Sequence, residues 1–236
     1  MESFGDVMGF DRALTLFNPE GELLQVNYAR KSVDNGKPTI AISTREGIVF
    51  SAIRPVSEDD LPLIVPESAE KVFKIDEDIA TAISGFISDG RILVDKLQEI
   101  AQNYRIIYGK EADILLLVKD IASEMQAYTQ YGGARPFAVG LLIGGVRGSD
   151  YALYVVEPGG TYYEYKAVAI GMEKEKINKI LKNSYDEKMS LEDGIELSIK
   201  SLRATSIKLM PENLEIVTVK KGEFKKFSRE EVKKYL

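Results

Sequence analysis

Thr39-Ile40-Ala41-Ile42 and Gly47-Ile48-Val49-Phe50-Ser51-Ala52-Ile53, joined by the charged turn at Arg45-Glu46-Gly47, decide the fold of this chain. Both runs are short and rich in β-branched residues, and the polar turn between them reads as the tip of a hairpin. Residues 71–75 and 79–84 repeat the pattern around the acidic turn Asp76-Glu77-Asp78, so strands come first and long helices later. Beyond them, Leu93, Leu97, Ile100, Tyr104 and Ile107 recur at helical spacing, and after Gly109 a second series runs through Ile114, Leu117, Val118, Ile121, Met125 and Tyr128. These apolar stripes read as faces turned to a core.

Strand patterns return at residues 137–144, 151–157, 161–164 and 166–170, punctuated by Gly144-Gly145, Gly148-Ser149-Asp150 and Pro158-Gly159-Gly160. Helices are then predicted over residues 173–183 and, after the capping box Ser190-Leu191-Glu192-Asp193, to about Thr205. A last hairpin, residues 214–220 with 223–227, leads through Ser228-Arg229-Glu230-Glu231 to a short terminal helix. Strands in hairpins alternate with helices in pairs. The packing that satisfies this order is two antiparallel sheets face to face with helix pairs on the outer faces, a four-layer α/β/β/α sandwich. Nothing in the pattern splits residues 1–236 into more than a single domain.

Working back toward the start, Asn18-Pro19-Glu20-Gly21 fits a type I turn, because Pro presets φ at the second position and Gly relaxes the fourth. Leu23, Val26, Tyr28, Ala29 and Val33 follow as apolar or small positions of a short helix, which gives an arm over 1–18 and a helix region over 19–35.

Composition excludes more than it identifies. A chain of 236 residues with 44% hydrophobic and 29% charged residues is that of an ordinary folded protein with a sizeable core. The net charge of −6 leaves no electrostatic footprint for nucleic acid, and the lysines near the end are interleaved with Glu223, Glu230 and Glu231. The absence of cysteine and histidine removes disulfides, Cys nucleophiles, His general bases and His/Cys zinc sites. No cofactor or metal is expected. Residues 1–9 lack a signal pattern and the longest apolar run, 136–146, is too short to span a bilayer, so the sequence is read as cytoplasmic, with no membrane partner.

The stretch Gly9-Phe10-Asp11-Arg12-Ala13-Leu14-Thr15-Leu16-Phe17-Asn18-Pro19-Glu20-Gly21, with Leu24-Gln25-Val26-Asn27-Tyr28-Ala29-Arg30, resembles the N-terminal signature of proteasome α-type subunits. The resemblance continues through Glu70-Lys71-Val72-Phe73-Lys74-Ile75-Asp76, Ala82-Ile83-Ser84-Gly85-Phe86, the segment Tyr128-Thr129-Gln130-Tyr131-Gly132-Gly133-Ala134-Arg135-Pro136-Phe137, and Glu164-Tyr165-Lys166-Ala167. It covers nearly the whole chain and looks archaeal. It implies the N-terminal nucleophile hydrolase fold, which is the same four-layer sandwich, and a non-catalytic subunit of a heptameric α ring. That ring would contact neighbouring α-subunits, cap a catalytic β ring, and admit unfolded polypeptide to a threonine endopeptidase complex.

In the catalytic relatives a chain-initial threonine attacks the peptide carbonyl, helped by its own amine, a lysine and a carboxylate. By the resemblance Pro38 falls at the nucleophile and Ile53 at the carboxylate, and only Lys71 remains; catalytic residues are expected to be none. One residue of slack in the alignment keeps open an alternative, an autonomous hydrolase using Thr39 after self-cleavage. Lys71 has two readings. It is either a surface strand lysine in an ion pair worth under about 1 kcal/mol, or, as the resemblance implies, the pocket lysine that receives the C-terminal carboxylate of an ATPase or activator tail. Leu23, Arg30, Gly36, Gly85 and Phe86 match other positions of that docking pocket. Phe10, Asp11, Arg12, Pro19 and Tyr28 match the gate that blocks or opens the pore.

Two departures stand out. Phe10 replaces the Tyr usual in the family and removes a hydroxyl hydrogen bond, which implies a gate less easily held open. The loop over residues 54–62 is longer and more acidic than the family pattern; such length is tolerated at small entropic cost, or it alters docking near Lys71.

Overall fold

The computed structural model describes residues 15–61 and 63–236. The expected gate residues Phe10, Asp11 and Arg12, and most of the 1–18 arm, lie outside the described residues, as does Pro62 in the long loop. Helix α1 (Leu24–Asn35) leads into the hairpin β1 (Thr39–Thr44) and β2 (Gly47–Ile53), then the hairpin β3 (Val72–Asp76) and β4 (Ile79–Gly85). Helices α2 (Ile87–Tyr108) and α3 (Ile114–Tyr128) follow, then strands β5 (Val139–Arg147), β6 (Asp150–Val156), β7 (Tyr162–Glu164) and β8 (Ala167–Ile170). Helices α4 (Lys174–Ser184) and α5 (Leu191–Arg203), strands β9 (Leu214–Lys220) and β10 (Glu223–Lys226), and helix α6 (Arg229–Lys233) complete the chain.

The strands form two antiparallel five-stranded sheets, ordered β10-β9-β2-β1-β8 and β3-β4-β5-β6-β7. Alternation of side chains gives each sheet two faces, and both are apolar here, so each must be covered twice. Between the sheets lie Ala41, Ile48, Phe50, Ala82, Leu142, Leu153 and Val217. Outside the second sheet α2 and α3 bury Leu93, Leu97, Leu117, Ile121 and Met125 against Ile83, Leu141 and Ile143. Outside the first sheet α4 and α5 bury Ile177, Leu181, Ile195 and Leu202 against Ile40, Ile42 and Ile216. The four-layer sandwich read from the sequence is therefore the fold.

Local signals fix several ends. Asp113 caps α3 by accepting from the Leu115 N–H at 2.8 Å. The Ser190/Asp193 box closes at α5, where the Ser190 N–H donates to Asp193 and the Asp193 N–H donates back to the serine oxygen at 3.2 Å. The turn at Asn18 also forms: the Gly21 N–H donates to the Asn18 carbonyl at 2.9 Å. Other ends differ from expectation. Helix α2 begins at Ile87, well before the periodic stripe at Leu93, because its first turn is used for a buried carboxylate, Asp89. Strand β5 begins at Val139 rather than at 137, because the Ala138 N–H is taken by Asp89 at 2.8 Å. In α1 only Val26, Ala29 and Val33 are buried; Tyr28, expected on the sticky face, is 42% exposed.

Candidate functional site

The strand registers bring six chain segments to one end of the sandwich. Thr39 at the start of β1 lies opposite Ala52 on β2 and Ile170 on β8, and Ile53 at the end of β2 lies opposite Leu214 at the start of β9. On the facing sheet, Val72 at the start of β3 lies opposite Ala82 on β4, whose last residues are Ser84 and Gly85. Hydrogen bonds tie the two sheets together at this end. The Thr39 hydroxyl donates to the Ile83 carbonyl at 3.0 Å, the Ser84 hydroxyl to the carbonyls of Lys37 and Val33 at 3.2 Å, and the Lys71 N–H to the Glu215 carboxylate at 2.9 Å.

Neither Pro38 nor Thr39 presents a free hydroxyl at this end. Pro38 carries no hydroxyl, and its carbonyl accepts from the Ile53 N–H at 3.0 Å, continuing the strand ladder. The Ile53 side chain packs into the apolar layer beneath α4 and α5 and offers no carboxylate. Thr39 is fully buried within a strand, its hydroxyl committed to a carbonyl of the facing sheet. Among the described residues no group of three or more Asp, Glu, His or Cys is placed to hold a metal ion.

Lys71 is the unusual member. It is 2% exposed, so the surface ion-pair reading is wrong: just before β3, it is held by Glu215 on β9 through its N–H and by the Lys37 carbonyl through its amine. Among the described residues its amine donates to one acceptor, the neutral Lys37 carbonyl, at 2.5 Å. Burial pulls its pKa down to about 7, only partly opposed by the nearby Glu215 carboxylate and reinforced by the charge of Lys37. Glu215 does not belong to Lys71 alone. Its carboxylate is ion-paired with Arg54 at 3.5 Å and with Lys226 at 2.8 Å, and Lys226 reaches Glu70 at 2.7 Å. At this corner three cations, Lys71, Arg54 and Lys226, meet two carboxylates.

Of the other residues singled out in the sequence, Gly36 and Gly85 join Lys71. A Cβ on Gly36 would lie 2.5 Å from the Gly85 nitrogen and the Ser84 hydroxyl, so the two backbones approach as only glycine allows. Gly85 has φ +112° and no room for a side chain, with the Ala138 carbonyl 2.3 Å from where its Cβ would stand. Phe86 follows at the start of α2, 52% exposed, its ring beneath the Arg135 guanidinium at 5.7 Å. Leu23 and Arg30 sit instead along α1, where Leu23 precedes the helix and Arg30 pairs with Glu157 at 3.0 Å. Pro19 is exposed in a turn anchored to α1: Asn18 accepts from the Glu22 N–H at 2.8 Å, and Asn27 donates to Glu22 at 3.1 Å.

The acidic loop makes hydrogen bonds within itself and to the segment before β9. Ser57 donates its N–H and hydroxyl to Asp60 across a 3₁₀ turn, and Lys208 pairs with Glu58. It roofs a hollow of about 410 Å³ whose walls include Lys37, Ile53, Arg54 and Asn213, immediately beside the Lys71 corner.

Sequence reading missed Glu215 and Asp89. Each had a signal: an acidic residue inside an otherwise apolar strand pattern, Leu214-Glu215-Ile216-Val217, and one in the first turn of a helix beside a chain reversal. Asp89 takes two hydrogen bonds from Arg135, at 2.6 and 2.9 Å, and one from Ala138.

The family model described as "Proteasome subunit" matches residues 33–219, and the model of the N-terminal signature of A-type proteasome subunits matches residues 10–31. The chain is 44% identical over 230 residues to a protein named "Proteasome subunit alpha" from Pyrococcus horikoshii, covering 97% of this chain and 87% of that one. A protein of the same name from Methanocaldococcus jannaschii is 41% identical over 229 residues, with 96% and 87% covered. One from Thermococcus onnurineus is 42% identical over 230 residues, with 97% and 87% covered. The two family models and these relatives lead to one conclusion: the chain belongs to the proteasome subunit family, as a non-catalytic subunit of the α type similar to those of archaea.

Proposed function

We propose that this subunit builds the gated entrance of a proteasome core particle in the cytoplasm and that the Lys71 corner receives the C-terminal carboxylate of an ATPase or activator tail. In this reading seven copies or close relatives form a ring on a catalytic β ring, and the arm containing Phe10, Asp11 and Arg12, with Pro19 and Tyr28 behind it, closes the axial pore to unfolded polypeptide. The observation that carries it is the buried Lys71 amine, whose one acceptor among the described residues is a neutral carbonyl. A carboxylate arriving there replaces that carbonyl by a charge-assisted contact, roughly twice as strong as a neutral hydrogen bond. Gly36 and Gly85 support the reading because they bring bare backbone to the same corner, and exposed Phe86 offers an apolar rim.

The turn at Asn18–Gly21 supports the gate. It is fastened to the first turn of α1 through Glu22, and α1 reaches the Lys71 corner at its other end, where the Ser84 hydroxyl holds the Val33 and Lys37 carbonyls. A helix anchored at both points passes a shift at one to the other. The test is hydrolysis of a fluorogenic peptide by the particle assembled with a β partner, with and without a peptide ending in a free carboxylate. Stimulation that requires the free carboxylate and disappears in Lys71→Met is expected; stimulation unchanged in that variant contradicts the docking role. The Thr39 hydrolase is disfavoured by the committed, buried hydroxyl.

A further inference from the structure

We infer that carboxylate docking at Lys71 is coupled to uptake of a proton by its amine, so that the site is a pH-dependent receptor that weakens as the solution turns alkaline. The inference rests on the docking reading above and adds its regulation. The geometry that carries it is the balance of charge around a buried amine with one neutral acceptor among the described residues. From the segment before β1 come the Lys37 carbonyl, which is neutral, and the Lys37 side chain, whose charge repels the amine. From β9 comes Glu215, fully buried but shared with Arg54 at the end of β2, with Lys226 on β10 and with the Lys71 N–H itself. Glu70, beside Lys71, is spent on Lys226. From β4 comes the Ser84 hydroxyl, which donates to the same Lys37 carbonyl and accepts no charge. Among the described residues the ammonium of Lys71 thus has no carboxylate of its own, and burial, reinforced by the charge of Lys37, brings its pKa to about 7, where the neutral and charged forms are evenly populated.

An arriving carboxylate reverses this. It supplies the missing negative charge at contact distance, which holds the proton on the amine, and the equilibrium between the neutral and charged forms becomes part of the binding constant. The sign follows. The free site has its lysine pKa depressed and the occupied site has it restored upward, so protons are taken up on docking and affinity falls as pH rises through 7. If only the charged form binds, the apparent dissociation constant is divided by the charged fraction, so affinity drops about tenfold from pH 6 to pH 8.

The chain offers an unusually clean background for seeing this. It contains no histidine and no cysteine, so no other side chain of ordinary pKa changes charge between pH 6 and 8.

The experiment uses the assembled particle and a fluorescent eight-residue peptide with an acetylated N-terminus and a free C-terminal carboxylate. Its amidated counterpart serves as the reference at each pH and at constant ionic strength. Carboxylate-dependent binding that weakens about tenfold from pH 6 to 8 is expected. Calorimetry at pH 7 in two buffers of different ionisation enthalpy is expected to report uptake of about half a proton per site. Lys71→Arg keeps its charge throughout and is expected to bind with a flat profile. The two wild-type measurements decide the matter even if that variant does not assemble. Carboxylate-dependent binding with a flat wild-type profile and no proton uptake overturns the coupling and leaves docking standing. Absence of carboxylate-dependent binding at every pH overturns both.

Discussion

Asp89 and Lys71 are buried charges at the same end of the sandwich, and they are treated in opposite ways. Asp89 accepts a two-pronged contact from Arg135 and the Ala138 N–H, and although burial works to raise its pKa, these hydrogen bonds outweigh it and hold the carboxyl below its ordinary value. Among the described residues the Lys71 amine has one neutral acceptor and no ion pair, so burial outweighs the nearby Glu215 charge and its pKa falls to about 7. A saturated buried charge is committed to holding structure together, here the start of α2 against the start of β5. One left short of partners costs stability and is free to bind. Four substitutions break or sharpen that contrast.

The largest effect is expected at Asp89. Asp89→Ala removes every acceptor from a buried backbone N–H and strands part of the Arg135 contact, a loss of about 3 kcal/mol read from urea unfolding. The Asp89 contribution is complete above the ordinary carboxyl range and fades as pH falls through its depressed value, so wild type and variant are expected to converge in acid. A loss well under 1 kcal/mol at neutral pH contradicts the saturated-anchor account.

Gly85→Ala comes next. The left-handed backbone and the Ala138 carbonyl 2.3 Å from the new Cβ are expected to cost about 1–3 kcal/mol in stability. Tail docking is expected to weaken with it, because the Gly36 and Gly85 backbones meet beside Lys71.

Lys71→Met is the opposite case. Removing an undercompensated buried charge for a side chain of similar volume is expected to leave stability unchanged or raise it by about 1–2 kcal/mol at pH 6, while docking is lost. The wild-type lysine is depressed in the fold, so the unfolded chain binds more protons between pH 7 and its normal value of 10.5. Wild-type stability therefore climbs across that window relative to the variant, and the advantage of Met shrinks with it. A destabilised Met variant at pH 6, or parallel pH profiles, breaks the comparison.

Phe10→Tyr is expected to have the smallest effect. Restoring one hydroxyl donor is worth about 0.5–1.5 kcal/mol per protomer to the open gate. Basal peptide hydrolysis by the assembled particle is expected to rise; no change counts against the reading of Phe10.

The layers of the fold were legible because they rest on local rules. Short runs rich in β-branched residues mark β1, β2 and β9, spaced apolar residues mark α2 and α3, and the Ser190 box marks a helix start. What stayed hidden depends on partners distant in the chain. Lys71 sits in a run, Glu70-Lys71-Val72-Phe73-Lys74, that looks like a surface strand, and its burial comes from Glu215 and the Lys37 carbonyl. The start of α2 was missed for the same reason, since Asp89 answers to Arg135 and Ala138 rather than to the helix stripe. The reading of Pro38 and Ile53 as positions without catalytic atoms rests on their residue types alone, since neither carries a hydroxyl or a carboxylate.

The most direct test of the central claim, that this corner binds and does not cut, is peptide turnover by the purified chain assembled only with itself, read together with its intact mass. The account predicts no turnover and a chain retained from Met1 or Glu2. Turnover abolished by Thr39→Ala, with a mature chain beginning at Thr39, contradicts it.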